Sequence, residues 1–404
     1  MCRKFGCETI ADGLVTGGKS IDEARAAVLE HMGTTDPVAG IGMVPGAVRF
    51  GADARDKFRG AIGYVLLSRS GLNIPDLVAV PGHEDFQSCS LREMARVCLQ
   101  HAGQSTGGDI MSLVGRALTT SDLPYVLADA ANKSLLAGFA EAEETFEEWT
   151  STLPASDFKA LNIVSISTLD GLSAINEHGE FTYGYMSDKK ESITLGTAGK
   201  IYPISRRAII NDDLNAITGV FAAAGGKAKK YEGDLVYAVL TTNAAMAEDS
   251  VTLFHSVTHG NVGTDGPPDT DTLNEMDRLF GAQTGINSER LNIPIKYIIG
   301  PRGYRGPFET FFGTVEYKDA NGLIVKNIYH NSYVRLYEAR LTGTGWYAAG
   351  PKGSTVVRTH LNGVKTPYTE QRTGWTVDGV ELKVRYDVAA GAVDWRAMGY
   401  NAGR

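Results

Sequence analysis

No apolar run in this chain approaches the roughly 20 residues that a membrane-spanning helix requires, so a helical membrane protein is excluded. The N-terminal stretch MCRKFGCETIADGLV has no apolar segment of the kind a secretory signal carries, and synthesis in the cytoplasm is the expectation. Cysteine is scarce. Cys2, Cys7, Cys89 and Cys98 all fall in the first quarter of the chain and none forms a CxxC pair, which argues against a disulfide framework or a zinc site. A basic excess is missing too: 39 Lys and Arg against 47 Asp and Glu leave a formal charge of -8, the opposite of a general nucleic-acid binder. What remains is an ordinary globular composition, 43% hydrophobic, over 404 residues, enough for two or three domains.

Residues 1 to about 115 read as short helices joined by Gly- and Pro-containing loops. Ser20 and Glu23 form a capping box for EARAAVLEHM, and Ser90 and Glu93 form another for LREMARVCLQHAG, which places Leu91, Met94, Val97 and Cys98 on one face. This section is thinly apolar and a weak candidate for an independent core. A helix should begin near Ser121 or Asp122 with Pro124 in its first turn and run on into the acidic AEAEETFEEW, a solvated face. Further on, Asn211-Asp212-Asp213 reads as the N-cap of the longest helix, with a seam at Leu214, Ile217, Phe221, Ala224, Ala228, Tyr231, Leu235 and Ala238. Through Thr242 it would be about 45 Å long, with Gly225-Gly226 the place for a bend. A short helix is expected around Leu273–Phe280 and a buried strand in LNIPIKYIIGP. In the C-terminal part, Asn362-Gly363 and Asp378-Gly379 read as turns between strands. Helices and strands mix without βαβ regularity, which predicts an α+β fold.

Few residues suggest chemistry. GLVTGGKS, Gly13–Ser20, fits the G-x-x-x-x-G-K-[ST] phosphate-loop pattern, but CETIAD before it is too short and charged to be the required buried strand. His255 and His259 have the spacing of two ligands on a helix, yet Ser256 and Val257 stand where an HExxH motif needs its glutamate, and Gly260, Asn261 and Gly263 make the segment a turn. Both histidines read as structural. Without a GxSxG elbow or a Cys-His arrangement, no catalytic, cofactor-binding or metal-ligating residue is expected, and no cofactor.

The most telling stretch is NEHGEFTYGYMSDKKESITLGTAGKIYPISRRAIINDDL. Alternating strand formers (Phe181, Tyr183, Tyr185, then Ile193, Leu195, Ile201, Tyr202, Ile204) flank the polar turn Ser187–Lys190, an extended hairpin. An isolated hairpin is marginal in water, so its apolar side chains call for a partner surface, most simply another copy of the chain. That stretch resembles the major capsid proteins of tailed bacteriophages, in the lineage whose capsid protein is made fused behind a prohead protease. TTSDLPYVLADAANKSLL, DLVYAVLTTN, LFHSVTHGN and the tail GWTVDGVELKVRYDVAAGAVDWRAMGYNAG share the resemblance.

The resemblance implies the Hong Kong 97 fold. On that pattern residues 1–115 would be a scaffold-like helical segment, 116–158 an N-terminal arm, 159–209 the E-loop, and 210–260 the spine helix with part of the peripheral domain. Residues 261–360 would build mainly the axial domain, and 361–404 the last peripheral strands. It further implies self-assembly into pentamers and hexamers of an icosahedral shell around double-stranded DNA, with no sequence specificity and no membrane. A portal protein, a separate maturation protease and a decoration protein are the implied partners, in virions assembled in a bacterial cytoplasm. The fused protease domain has no counterpart here, and proteolytic activity is not expected. Lys189 and Lys190 sit where the type member of the fold carries its cross-linking lysine, but no partner Asn can be matched, and solvated turn lysines are the ordinary explanation. Two rival classes are an encapsulin-like nanocompartment shell of the same fold and a nucleotide-binding protein using Gly13–Ser20.

Overall fold

The computed structural model describes residues 54–74, 77–163, 179, 190–215, 217–285, 288–318, 322–373 and 379–404. The Gly13–Ser20 loop, the Ser20 capping box, Cys2, Cys7, Lys189 and most of the expected hairpin lie outside the described residues. In chain order the elements are helices α1 (Ala54–Arg69), α2 (Leu91–His101), α3 (Ile110–Thr120), α4 (Leu123–Glu141) and the single turn α5 (Phe146–Trp149). Strands β1 (Ser151–Ala155), β2 (Leu161–Ile163), β3 (Glu191–Ile193) and β4 (Gly196–Ser205) follow, then α6 (Arg206–Ile210), α7 (Thr218–Thr242) and α8 (Thr270–Ala282). The remainder is β5 (Tyr297–Pro301), α9 (Arg305–Gly313), β6 (Glu316–Lys318), β7 (Ile324–Lys326), β8 (Val334–Glu338), β9 (Trp346–Ala349), β10 (Val356–Leu361), β11 (Tyr368–Thr373), β12 (Gly379–Ala392) and β13 (Met398–Asn401).

Two sheets organise the strands. In one, β12 is the central strand: β4 pairs along one side of it, β11 and β10 share the other, and β1 extends the sheet parallel to β10. The second runs β13–β9–β5–β8, with β5 and β8 parallel. β2 pairs with β3, and β6 with β7, as separate two-stranded ribbons. The mixture is α+β, as the sequence predicts.

Local signals set the helices where expected. Ser90 caps α2 with the full capping box, Glu93 reaching back to the Ser90 amide. Asp122 precedes α4, with Pro124 in its first turn. The expected helix around Leu273 is α8, started by Asp269 and Thr272 in a second reciprocal cap.

The long helix departs from expectation at its start. It begins at Thr218, without a side-chain cap, because Ser205-Arg206 opens the separate turn α6, capped by the Ser205 hydroxyl. Asp212 sits just after that turn in the left-handed region, φ 55°. Its carboxylate serves another helix: it accepts the Leu91 amide at the N-terminus of α2 (2.7 Å) and pairs with Arg69 of α1 (3.0 Å). With 25 residues, α7 is about 37 Å long. Gly225 serves close approach to a neighbouring helix: a Cβ there would lie 2.0 Å from the Leu135 carbonyl oxygen of α4, and one on Gly138 would lie 2.0 Å from that of Ala222. The two helices cross backbone to backbone.

Three further expectations are corrected. Ile201, Tyr202 and Ile204 belong to β4, whose ten residues pair with β12 from Gly196↔Val388 to Ser205↔Gly379; they are part of the sheet, and among the described residues of the expected hairpin β2 and β3 pair at its base. The helix α4 ends at Glu141, the first glutamate of the acidic run; Ala142 is extended, and Glu147 and Glu148 fall in the separate turn α5. Thr373 pairs with Val380, and Gly379 already stands in β12, so Gly379 is strand and not the second residue of a tight turn; Asp378 lies outside the described residues.

The largest hydrophobic cluster joins α1, α2, α3 and α4 to the first half of α7 and to Ile204, Val380, Leu382 and Val384 of the sheet. Residues from Ile62 onward are therefore built into a core shared with the sheet, although the stretch looks thinly apolar in sequence. A second cluster packs the last half of α7 (Val236, Tyr237, Leu240) with Phe146 and Trp149 against the second sheet. A third lies between α8, α9, β5 and Trp346.

Candidate functional site

The polar chemistry of the described residues concentrates on the last half of α7, which touches both sheets. Glu232 is 2% exposed and stands over the first sheet. It accepts from Arg358 (2.7 Å) and His360 (3.1 Å) of β10 and from the Tyr386 hydroxyl of β12 (2.6 Å). Burial pushes this carboxyl up, but the hydrogen bonds from His360 and Tyr386 and the charges of His360 and Arg358 outweigh it and hold it below the usual glutamate value. Tyr386 is pushed well above the ordinary phenol range, by burial first and by Glu232 second. Buried charge is tolerated only when paired and hydrogen-bonded, and Glu232 meets that condition three times over.

Two residues later, Asp234 belongs to a second hub. Arg340, just past β8, donates to Glu144 (2.8 Å), to Glu338 (3.1 Å), to Asp234 (2.5 Å) and to the Lys230 carbonyl (2.9 Å). Glu338 also accepts from Thr145 Oγ1 (2.5 Å), which shares a hydrogen bond with the Tyr237 hydroxyl (2.6 Å). Lys229 reaches Glu147 at 3.1 Å. Glu144 and Glu147 of the acidic run thus have cationic partners within the chain, while Glu141, Glu143 and Glu148 are solvated. One hub ties α7 to the first sheet and the other ties it to the second.

His255 and His259 both hold structure. His259 Nδ1 lies 3.0 Å from the Leu253 carbonyl and Nε2 lies 2.9 Å from Asp249, with the ring stacked 4.2 Å from Trp395. His255 Nδ1 accepts the Thr258 amide, closing the turn. Cys89 and Cys98 are free thiols, and burial pushes Cys98 up to about 12. A cleft of about 490 Å³ between β1, β10 and the 291–294 segment is walled by Leu153, Ile163, Ile293, Val357 and Val393; Asp394 on its rim is paired to Arg396. Among the described residues no helix is long and apolar enough to cross a membrane.

Sequence reasoning missed the Glu232 hub entirely. Its signal was present: Glu232 falls four residues before Val236 and eight after Ala224, on the buried face of α7, and Arg358 and His360 alternate along β10. Read alone, VVRTHL suggests a strand whose polar side meets water.

This frame is one that comparison identifies. A family model described as phage capsid protein matches residues 189–401, a span that takes in α7, the Glu232 hub, the second sheet and the first sheet without β1. The chain belongs to the phage capsid protein family, whose members are virion components. Among solved structures it is similar to a chain of Mycobacterium phage Bobi, at 14% identity and TM-score 0.40, over 65% of this chain and 90% of that one. The capsid of the native GTA particle aligns at 10% identity and TM-score 0.43, over 64% and 90%. The encapsulin complex of Synechococcus elongatus aligns at 10% identity and TM-score 0.40, over 65% and 88%. No curated protein sequence matches the chain.

Proposed function

We propose that this chain is a major head subunit of the Hong Kong 97 type, a structural and non-enzymatic protein that assembles into pentamers and hexamers of an icosahedral shell around double-stranded DNA. The observation that carries the reading is the family match over residues 189–401, which spans the long helix and every strand of the two sheets latched to it except β1. In this reading 116–158 is the arm, 159–209 the E-loop, α7 the spine of the peripheral domain, 261–360 mainly the axial domain and 361–404 the closing peripheral strands. DNA lies against the inner face without sequence readout. A portal protein, a separate maturation protease and a decoration protein complete the head, which is assembled in the host cytoplasm.

Any proteolytic removal of the N-terminal segment is confined to residues before Ala54. Cutting at 115 would strip Ile62, Leu66, Leu91, Met94 and Leu99 from the largest cluster. N-terminal sequencing of shell-derived protein checks this: a start at Met1 opposes removal, and a start near 116 opposes the limit set here.

The primary test is negative-stain microscopy with sedimentation velocity on the purified full chain. Closed particles or discrete pentamers and hexamers support the reading; a folded monomer at every concentration and salt overturns it. Nucleic acid inside particles made during infection separates a phage head from a nanocompartment, which would hold protein cargo.

A further inference from the structure

Exposed aliphatic side chains are unevenly placed on the described surface. Val315, Leu323, Ile324 and Ile328 are 52%, 63%, 68% and 65% exposed, and Val334, six residues further along the chain, is 49% exposed. All belong to one stretch through β6, β7 and the start of β8, and no other described stretch of that length holds as many. Scattered single apolar residues need no explanation, whereas a patch does.

The ribbon at the centre of that stretch is short. Its pairs are Glu316↔Lys326, Tyr317↔Val325 and Lys318↔Ile324, outside both larger sheets, and a lone two-stranded ribbon is marginal in water. It is nevertheless held in place from within. Thr270 Oγ1 donates to the Tyr317 hydroxyl at 2.7 Å, and the buried Asn327 amide donates to the carbonyls of Phe311 (2.7 Å) and Thr314 (3.0 Å). The chain therefore fixes the ribbon and leaves its aliphatic residues in water.

Chemistry narrows what covers them. Glu316 and Lys326, of opposite sign, face each other on the ribbon. A nucleic-acid or anionic lipid surface would select basic residues alone, whereas aliphatic side chains rimmed by charges of both signs suit a protein surface. The five side chains together offer several hundred Å² of apolar surface, a large part of the roughly 800 Å² each partner gives to a standard interface. We propose that the β6–β7 ribbon is a contact between copies of this chain, a head-to-tail interface in which the aliphatic stretch 323–328 seats on the neighbouring subunit. The inference rests on the shell reading and names the surface it uses.

The test uses the full chain with Ile324→p-benzoylphenylalanine, assembled from isotopically light and heavy copies, irradiated and analysed by mass spectrometry. Mixed-isotope cross-links at position 324 are expected. Cross-links confined to one copy, or none at all in assembled particles, overturn the proposal. Independently, the double substitution Ile324→Glu/Ile328→Glu should lower the assembled fraction at least tenfold while circular dichroism stays unchanged. A variant that assembles like the parent chain overturns the ribbon contact alone. A parent chain that stays monomeric when folded removes the shell reading and this proposal together.

Discussion

The two halves of α7 are held in opposite ways. Its first half meets α4 with glycine on both sides, so that bare backbones touch and the contact is apolar. Its second half adds charge to its apolar packing, with Glu232 buried under Arg358, His360 and Tyr386 and Asp234 sharing Arg340 with two other carboxylates. The first contact is indifferent to pH and salt and intolerant of any added atom. The second is sensitive to protonation and to the loss of a partner. A helix joined to one neighbour by shape and to two sheets by charge can answer solution conditions at one end only.

The largest expected effect is at Glu232. Glu232→Ala leaves Arg358 buried without its carboxylate and should cost about 3–5 kcal/mol, read as a fall in the urea midpoint. Gly225→Ala forces the α4 and α7 backbones apart and should cost about 3 kcal/mol, at the upper end of overpacking penalties; the loss should be the same at pH 5 and pH 8, which separates it from the charged half. Arg340→Ala strands Glu144 and Glu338, each with its side chain 6% exposed. Its cost should be about 2 kcal/mol, reduced because water can reach the hub from the Asp234 side.

Acid offers a second axis. Hydrogen bonds from Arg55 lead, with those from Arg59, in holding Asp122 down at about 2, against the usual 3.8. A carboxyl depressed by folding stabilises the fold above its unfolded value and loses that contribution as pH falls toward the folded one. Asp122→Asn should therefore reduce stability at neutral pH and flatten its dependence between about pH 4 and pH 2. The smallest effect is expected at the exposed Glu370–Arg385 pair, where Glu370→Gln should leave the unfolding midpoint unchanged, as surface pairs usually do.

What the sequence disclosed follows the range of each signal. The Ser90 cap, Pro124, the helix at 273–280 and the turn at Asn362-Gly363, whose residues have φ 52° and 72°, are set by neighbours a few positions away, and those readings hold. The sequence sets the seam of α7 on alternating steps of three and four, which average 3.5. A real helix turns every 3.6 residues, so the seam drifts by about 20° per heptad. By the second half it has slipped: Tyr231 is 40% exposed, while Glu232, Val236 and Leu240 are buried. Glu232 was hidden by that slip. Asp212 departs from its sequence reading for a related reason: an acidic residue before a helical pattern reads as its cap, and nothing local announces that the capped amide lies at Leu91.

That cap has a consequence for where the protein can be divided. The family match begins at residue 189, yet Asp212 inside it closes a helix end at Leu91 outside it, and Val380 and Leu382 share a core with Ile62 and Leu66. The inherited module and the folding unit are different objects. A fragment cut to the module would leave α7 without α4, the sheet without its helical cover and Asp212 without an amide to accept. In this chain the residues that the family model matches share one core and one helix cap with residues that it does not match.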